Sequence, residues 1–284
     1  MTRPPACSAT LISSKPISVH DMKVALIGFG AIGTALAQAL RETEHPVVGV
    51  LGRASSLDGL RNKAPPGTPV VTNLADLLAL SPEIVVECAG HEALRLYGSD
   101  VLRVGRTLLV SSVGALADQA IERSLREAGK EGGRLIIPSG AMGGLDALGA
   151  ARRAGLDEVL YSSRKAPAAW RGTKAERLAD LQSISAAQVF YEGSARQAAL
   201  DFPQNANVVA AVAMAGMGFD RTRVRLIVDP DAGGNRHLLE ARGAFGEIST
   251  SVLSRTLPDN PKTSMLTPYS LLRAIDNLGT SLVI

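Results

Sequence analysis

Short unbroken apolar runs, alternating with stretches whose apolar residues recur at helical spacing, dominate the first half of the chain. Val24, Ala25, Leu26 and Ile27 form a run too short for a typical helix, ended by Gly28, as in a strand buried on both faces of a parallel sheet. Ile32, Leu36, Ala39 and Leu40 then mark one face of a helix. The short pattern returns at residues 47–51, 84–86, 107–110 and 135–137. Between these runs lie helical stretches at 73–80, capped by Asn73, and at 118–128, and a third opened by His91. Such alternation predicts an α/β fold with a doubly wound parallel sheet of five or six strands.

From Glu158 the texture changes. Residues 159–163, 188–191, 224–228 and 237–241 read as strands of an open mixed sheet, interrupted by helical stretches, which makes the second part α+β. Residues 206–216, rich in Ala, Val and Met, read as an almost wholly buried helix, and residues 267–277 as a last helix returning toward the first domain. The expected organisation is therefore a flexible leader over 1–21, a dinucleotide-binding domain over 22–140, a substrate and catalytic domain over 141–264, and a C-terminal helix over 265–284.

Composition narrows the class. A chain of 284 residues with 46% hydrophobic and 20% charged positions has room for two packed domains. The 30 basic and 27 acidic residues are scattered without a basic block, so nucleic acid is not an expected partner. No apolar run reaches the roughly 18 residues of a membrane span. Cys7 and Cys88 are the only cysteines, which gives no disulfide framework and points to a reducing cytoplasm. The four histidines show no close ligand spacing, and no metal is predicted.

The candidate chemistry begins at the first strand. Gly28, Gly30 and Gly33 follow the G-x-G-x-x-G spacing between strand and helix, the context of a Rossmann-type phosphate turn, with Ala31 and Ile32 inside it; the bland alternative is a tightened βα turn. After the second strand, where NAD-binding units place an acid on the ribose, the chain reads Gly52, Arg53, Ala54, Ser55, Ser56. Arg53 and Ser55 suit a 2′-phosphate, favouring NADP with NAD also accepted, although a solvated arginine would read the same. Cys88 and Ala89 end a strand at the carboxyl edge where ligands collect.

Further along, Asn205 and Asn207 enter the apolar helix, where the cap satisfies one amide and the other is free to hold the cofactor's amide or the substrate; Asn205 is a candidate substrate contact or a plain N-cap. His237 follows a flexible turn and is either a general acid and base or a half-exposed strand histidine. Lys262, Thr263 and Ser264 before the last helix suit a carboxylate, or form an ordinary cap. Arg164 and Lys165 offer a second anion site.

Taken together, the glycine turn, PSGAMGGLDAL at 138–148, FPQNANV at 202–208, RHLLEARG around His237 and NPKTSMLT at 260–267 make the chain resemble the L-aspartate dehydrogenase family. The resemblance implies oxidative deamination of L-aspartate to oxaloacetate and ammonia through iminosuccinate with NAD or NADP, and the reverse amination. It also implies His237 as the catalytic residue and Ala141 and Asn207 as cofactor contacts. Small molecules are then the only expected partners besides a second copy of the chain, since the apolar second-domain helix and the sheet suit a homodimer. Rival readings are a homoserine dehydrogenase-like enzyme and a non-enzymatic NADP-binding redox sensor.

Overall fold

The computed structural model describes residues 20–258 and 260–283; the expected leader falls almost wholly outside them. The chain opens with β1 (Val24–Ile27), α1 (Ala31–Leu40), β2 (Val47–Leu51), α2 (Leu57–Lys63), β3 (Val70–Val71), α3 (Leu74–Ala79), β4 (Ile84–Glu87), α4 (His91–Arg103), β5 (Thr107–Val110), α5 (Gln119–Gly129) and β6 (Arg134–Ile136). The strands form a six-stranded parallel sheet in the order β3-β2-β1-β4-β5-β6. Every residue of β1 and β4 is buried, as suits the apolar run of β1 and that of Ile84, Val85 and Val86 before Glu87 in β4. The strand order reverses between β1 and β4, which opens a ligand crevice above their carboxyl ends.

Two elements escaped the sequence reading. β3 has only two residues, and α2 buries none of its side chains, so neither leaves an apolar period to detect.

The second unit runs through α6 (Leu145–Ala154), β7 (Leu156–Lys165), β8 (Gln188–Ser194), α7 (Ala195–Asp201), α8 (Ala206–Ala215), β9 (Arg223–Val228), β10 (Asn235–Gly243) and β11 (Gly246–Ser254). Its five-stranded sheet, β11-β10-β7-β9-β8, is mixed: β7 and β9 pair in parallel and the other pairs are antiparallel. A small ribbon, β12 (Thr256–Leu257) with β13 (Asn260–Ser264), then leads into α9 (Leu266–Gly279). Residues 260–264 are thus a strand, where a capped loop before the helix was expected. β11 was missed because its polar and small residues, Glu247, Ser249, Thr250 and Ser251, dilute the apolar alternation.

One apolar cluster crosses both units: Ile27, Val85 and Leu108 share it with Val159, Leu226 and most of α8. A second cluster holds α9 against the first sheet, with Leu271 and Ile275 buried among Val24, Leu36 and Leu40. Among the described residues no helix is long and apolar enough to cross a membrane.

Candidate active site

The turn after β1 uses its glycines differently. Gly28 has φ +91°, and a Cβ there would lie 2.5 Å from the Ala89 Cβ; one on Gly33 would lie 2.7 Å from the Gly28 carbonyl oxygen. These two positions are closed by the protein itself. Gly30 is open: the place its Cβ would take has no heavy atom within 4 Å. Gly30 is also the N-cap of α1, which has neither a capping side chain nor an acid in its first turn. The N–H groups of Ala31, Ile32 and Gly33 and the positive end of the helix dipole therefore face an open cradle that fits a diphosphate.

Arg53 and Ser55 stand exposed just past β2. Ala89 is exposed too, but the Cys88 thiol is not offered to a ligand. It donates to the carbonyls of Ile27 and Gly28, at 3.4 and 3.2 Å, and burial pushes its pKa up, so it packs beneath the turn. The sequence reading passed over its neighbour Glu87. This carboxylate is 1% exposed and accepts from the N–H groups of Ala89 and Gly90, both at 2.8 Å, and from the Ser112 N–H and hydroxyl at 3.1 and 3.0 Å. It ties the loops after β4 and β5 together at the mouth of the crevice; burial pushes its pKa up against the pull of those donors.

Above the crevice lies a cavity of about 270 Å³. Ile32 and Ser111 of the first unit line it, with Ser139, Gly140 and Ala141 of the crossing segment. Lys165, Asn205, Asn207, Asn235 and His237 come from the second unit, and Asn260, Thr263 and Ser264 of β13 line it as well. Asn207 bridges the units, its Oδ1 accepting from the Gly114 N–H at 3.0 Å. The site is sealed there: a Cβ on Gly114 would sit 2.6 Å from Ala206 Cβ and 2.9 Å from His91 Nε2.

His237 is 4% exposed and its ring lines the cavity. Its Nδ1 is 2.6 Å from the Tyr161 hydroxyl, the two rings nearly parallel at 16°. Burial, and after it the nearby Lys165 charge, pull the imidazole pKa down to about 3, so the ring is neutral at pH 7. Lys165 is 5% exposed, and burial lowers its pKa to about 8. The ammonium stands 5.4 Å over the Trp170 ring and donates to Asn205 Oδ1. Asn205 holds the N-cap position of α8 without using its side chain as a cap, so the amide is reserved for Lys165.

Not every expected residue gathers here. Arg164 was expected beside Lys165, but side chains alternate across a strand. Tyr161, Ser163 and Lys165 share the buried face of β7, while Arg164 points to the other face of the sheet and pairs with Asp229 at 2.6 Å. The period of two was legible in the sequence and excludes the pair from one site. Ser264 lines the cavity but its hydroxyl is engaged by Ser254 and accepts from the Leu266 N–H at 3.1 Å. The Lys262 side chain lies outside the described residues. Tyr161 and Asn235 were missed; their signal was position, at alternate residues of the strands that carry Lys165 and His237.

A phosphate cradle on a parallel sheet, opening into a buried polar cavity supplied by a second unit, defines a two-lobed dinucleotide-dependent oxidoreductase. Residues 28–138 match the homoserine dehydrogenase NAD-binding domain family, and residues 146–278 match the aspartate dehydrogenase C-terminal family. The chain is 43% identical over 261 residues to the L-aspartate dehydrogenase of Cupriavidus necator, covering 90% of this chain and 97% of that one. It is 40% identical to that of Pseudomonas aeruginosa with the same two coverages. The crystal structure of aspartate dehydrogenase from Thermotoga maritima superposes with a TM-score of 0.74 at 26% identity, covering 93% of this chain and all of that one. The chain belongs to the L-aspartate dehydrogenase family. A hyperthermophilic archaeal homoserine dehydrogenase, at 13% identity and a TM-score of 0.57, shares the fold alone.

Proposed function

We propose that the chain catalyses the NAD(P)-dependent oxidative deamination of L-aspartate to oxaloacetate and ammonia through iminosuccinate, and the reverse reductive amination. The observation that carries this reading is a neutral imidazole and a buried ammonium on one wall of a cavity that opens onto the phosphate cradle.

In this reading the N–H groups after Gly30 hold the diphosphate, Ala141 and Asn207 contact the nicotinamide end, and Arg53 with Ser55 receives a 2′-phosphate, so that NADP is preferred and NAD accepted. When bound, the dinucleotide supplies the acceptor for the hydride that leaves the substrate Cα. The chain supplies alignment and proton transfer. Lys165, held by Asn205, pairs with one substrate carboxylate; Thr263 and Lys262 receive the other. Neutral His237 takes a proton from the water that adds to the imine and returns it to the departing nitrogen. Residues 22–140 form the dinucleotide domain and 141–264 the substrate domain, in a cytoplasmic homodimer that meets only small molecules.

The test follows reduced-cofactor absorbance with oxaloacetate and ammonia, then with aspartate and either dinucleotide. Turnover of homoserine instead of aspartate overturns the reading. His237→Ala is expected to lower kcat by about 10²–10⁴-fold, with the Kd for NADPH unchanged. Full activity in that variant removes His237 from the mechanism.

A further inference from the structure

The base-competent form of His237 needs a bare lone pair on the ring nitrogen facing the cavity, which is Nε2 because Nδ1 faces Tyr161. The ring proton must then sit on Nδ1, and the Tyr161 oxygen must accept it. A phenol that accepts from Nδ1 has to direct its own O–H elsewhere, or the two hydrogens collide in one short contact. Ser163 is placed for this. It precedes Lys165 by two positions on the same face of β7, pairs in register with His237 on β10, and is 2% exposed. Its Oγ is buried without a well-formed hydrogen bond. A buried hydroxyl without a full hydrogen bond is costly, and the group it lies close enough to interact with is the Tyr161 hydroxyl.

We propose that Ser163 accepts the Tyr161 hydroxyl proton, so that Tyr161 accepts from Nδ1–H and the imidazole of His237 is held as the tautomer whose Nε2 lone pair faces the cavity. Tyr161 and Ser163 are positioning residues and touch no substrate. When water adds to the imine, its proton goes to Nε2 and its oxygen to the imine carbon. The imidazolium keeps its Nδ1–H···Tyr161 bond unchanged. Nε2 then passes the proton to the amine nitrogen, the carbon–nitrogen bond breaks, and the hydroxyl proton of the new carbonyl carbon replaces it on Nε2 before leaving to solvent. No charge develops on Tyr161, in keeping with the upward push that burial gives its pKa.

This inference rests on the proton-carrier reading of His237, and its test is separable from that reading. The ring nitrogens of His237 are observed by ¹⁵N NMR in the full chain with NADPH bound, without turnover. In the parent protein Nδ1 is expected to carry the proton. Ser163→Ala leaves the phenol no acceptor but Nδ1, so the ring should switch to the Nε2–H tautomer. kcat should then fall about 10- to 100-fold, as for a mis-set catalytic imidazole, with KM and the NADPH Kd little changed. Its thermal stability should be little changed, so that a fall in kcat reports the tautomer and not a loss of fold. Ser163→Thr should restore both tautomer and rate. Tyr161→Phe should lower kcat similarly and leave a mixed tautomer. A parent ring already protonated at Nε2, or a Ser163→Ala spectrum and kcat like the parent's, overturns the inference. Full activity of His237→Ala overturns the proton-carrier reading instead, and leaves the tautomer result standing.

Discussion

Lys165 and His237 occupy one wall of the cavity, and the charge of the first bears on the second. Because burial lowers Lys165 to about 8, its ammonium is present below that pH and is lost as the pH rises through it, well before an exposed lysine would titrate. A dicarboxylate pairs only with the ammonium form. KM for aspartate should therefore climb as the pH passes about 8, and Lys165→Met should flatten that limb while raising KM at neutral pH by about 10- to 100-fold, the worth of a hydrogen bond to a charged group. A limb that survives in Lys165→Met belongs to another group. Arg53 stands exposed just past β2 of the first sheet. Arg53→Asp should move the ratio of kcat/KM from NADP toward NAD by about 10-fold or more; an unaltered ratio contradicts a phosphate role.

At the scale of elements, the glycine turn separates packing from binding. Gly33→Ala drives a methyl to within 2.7 Å of the Gly28 carbonyl and 3.0 Å of the Cys88 sulfur, backbone and core that cannot easily yield. Such overpacking should cost about 1–3 kcal/mol, seen as a lower urea midpoint. Gly30→Ala meets nothing in the protein, and its φ of −79° is open to any residue. It should leave the urea midpoint in place yet weaken NADPH binding, measured by fluorescence titration, because its methyl occupies the diphosphate cradle. Equal loss of stability in both variants would mean that Gly30 serves the fold alone. The strand β7 makes the complementary point: its alternation puts Tyr161, Ser163 and Lys165 into the site and sends Arg164 to an ion pair outside it. Spacing of one residue, read as proximity, is separation in a strand.

At the scale of the molecule, α9 is the element that returns the end of the chain to its beginning. Leu271 and Ile275 are fully buried against β1 and α1, and the Gly140 N–H donates to Ser270 Oγ at 3.1 Å, so the last helix braces the crossing segment beside the cavity. Leu271→Ala should cost about 2–4 kcal/mol in urea unfolding; a loss below about 1 kcal/mol would show that α9 is peripheral to the first sheet. The sequence by itself determined the parallel sheet, the place of the phosphate turn, the buried helix and the resemblance to the family, because each is carried by a local run of apolar residues, glycines or a contiguous motif. The tertiary structure alone decided which polar residues meet. Asn205 takes Lys165, 40 positions away, and Asn207 takes Gly114, 93 positions away. Likewise the hydrogen-bond partner of His237 Nδ1 is Tyr161, 76 residues earlier, and no local period records it. Such pairings depend on sheet register and on which face of a strand is buried, and these are settled only when the whole core closes.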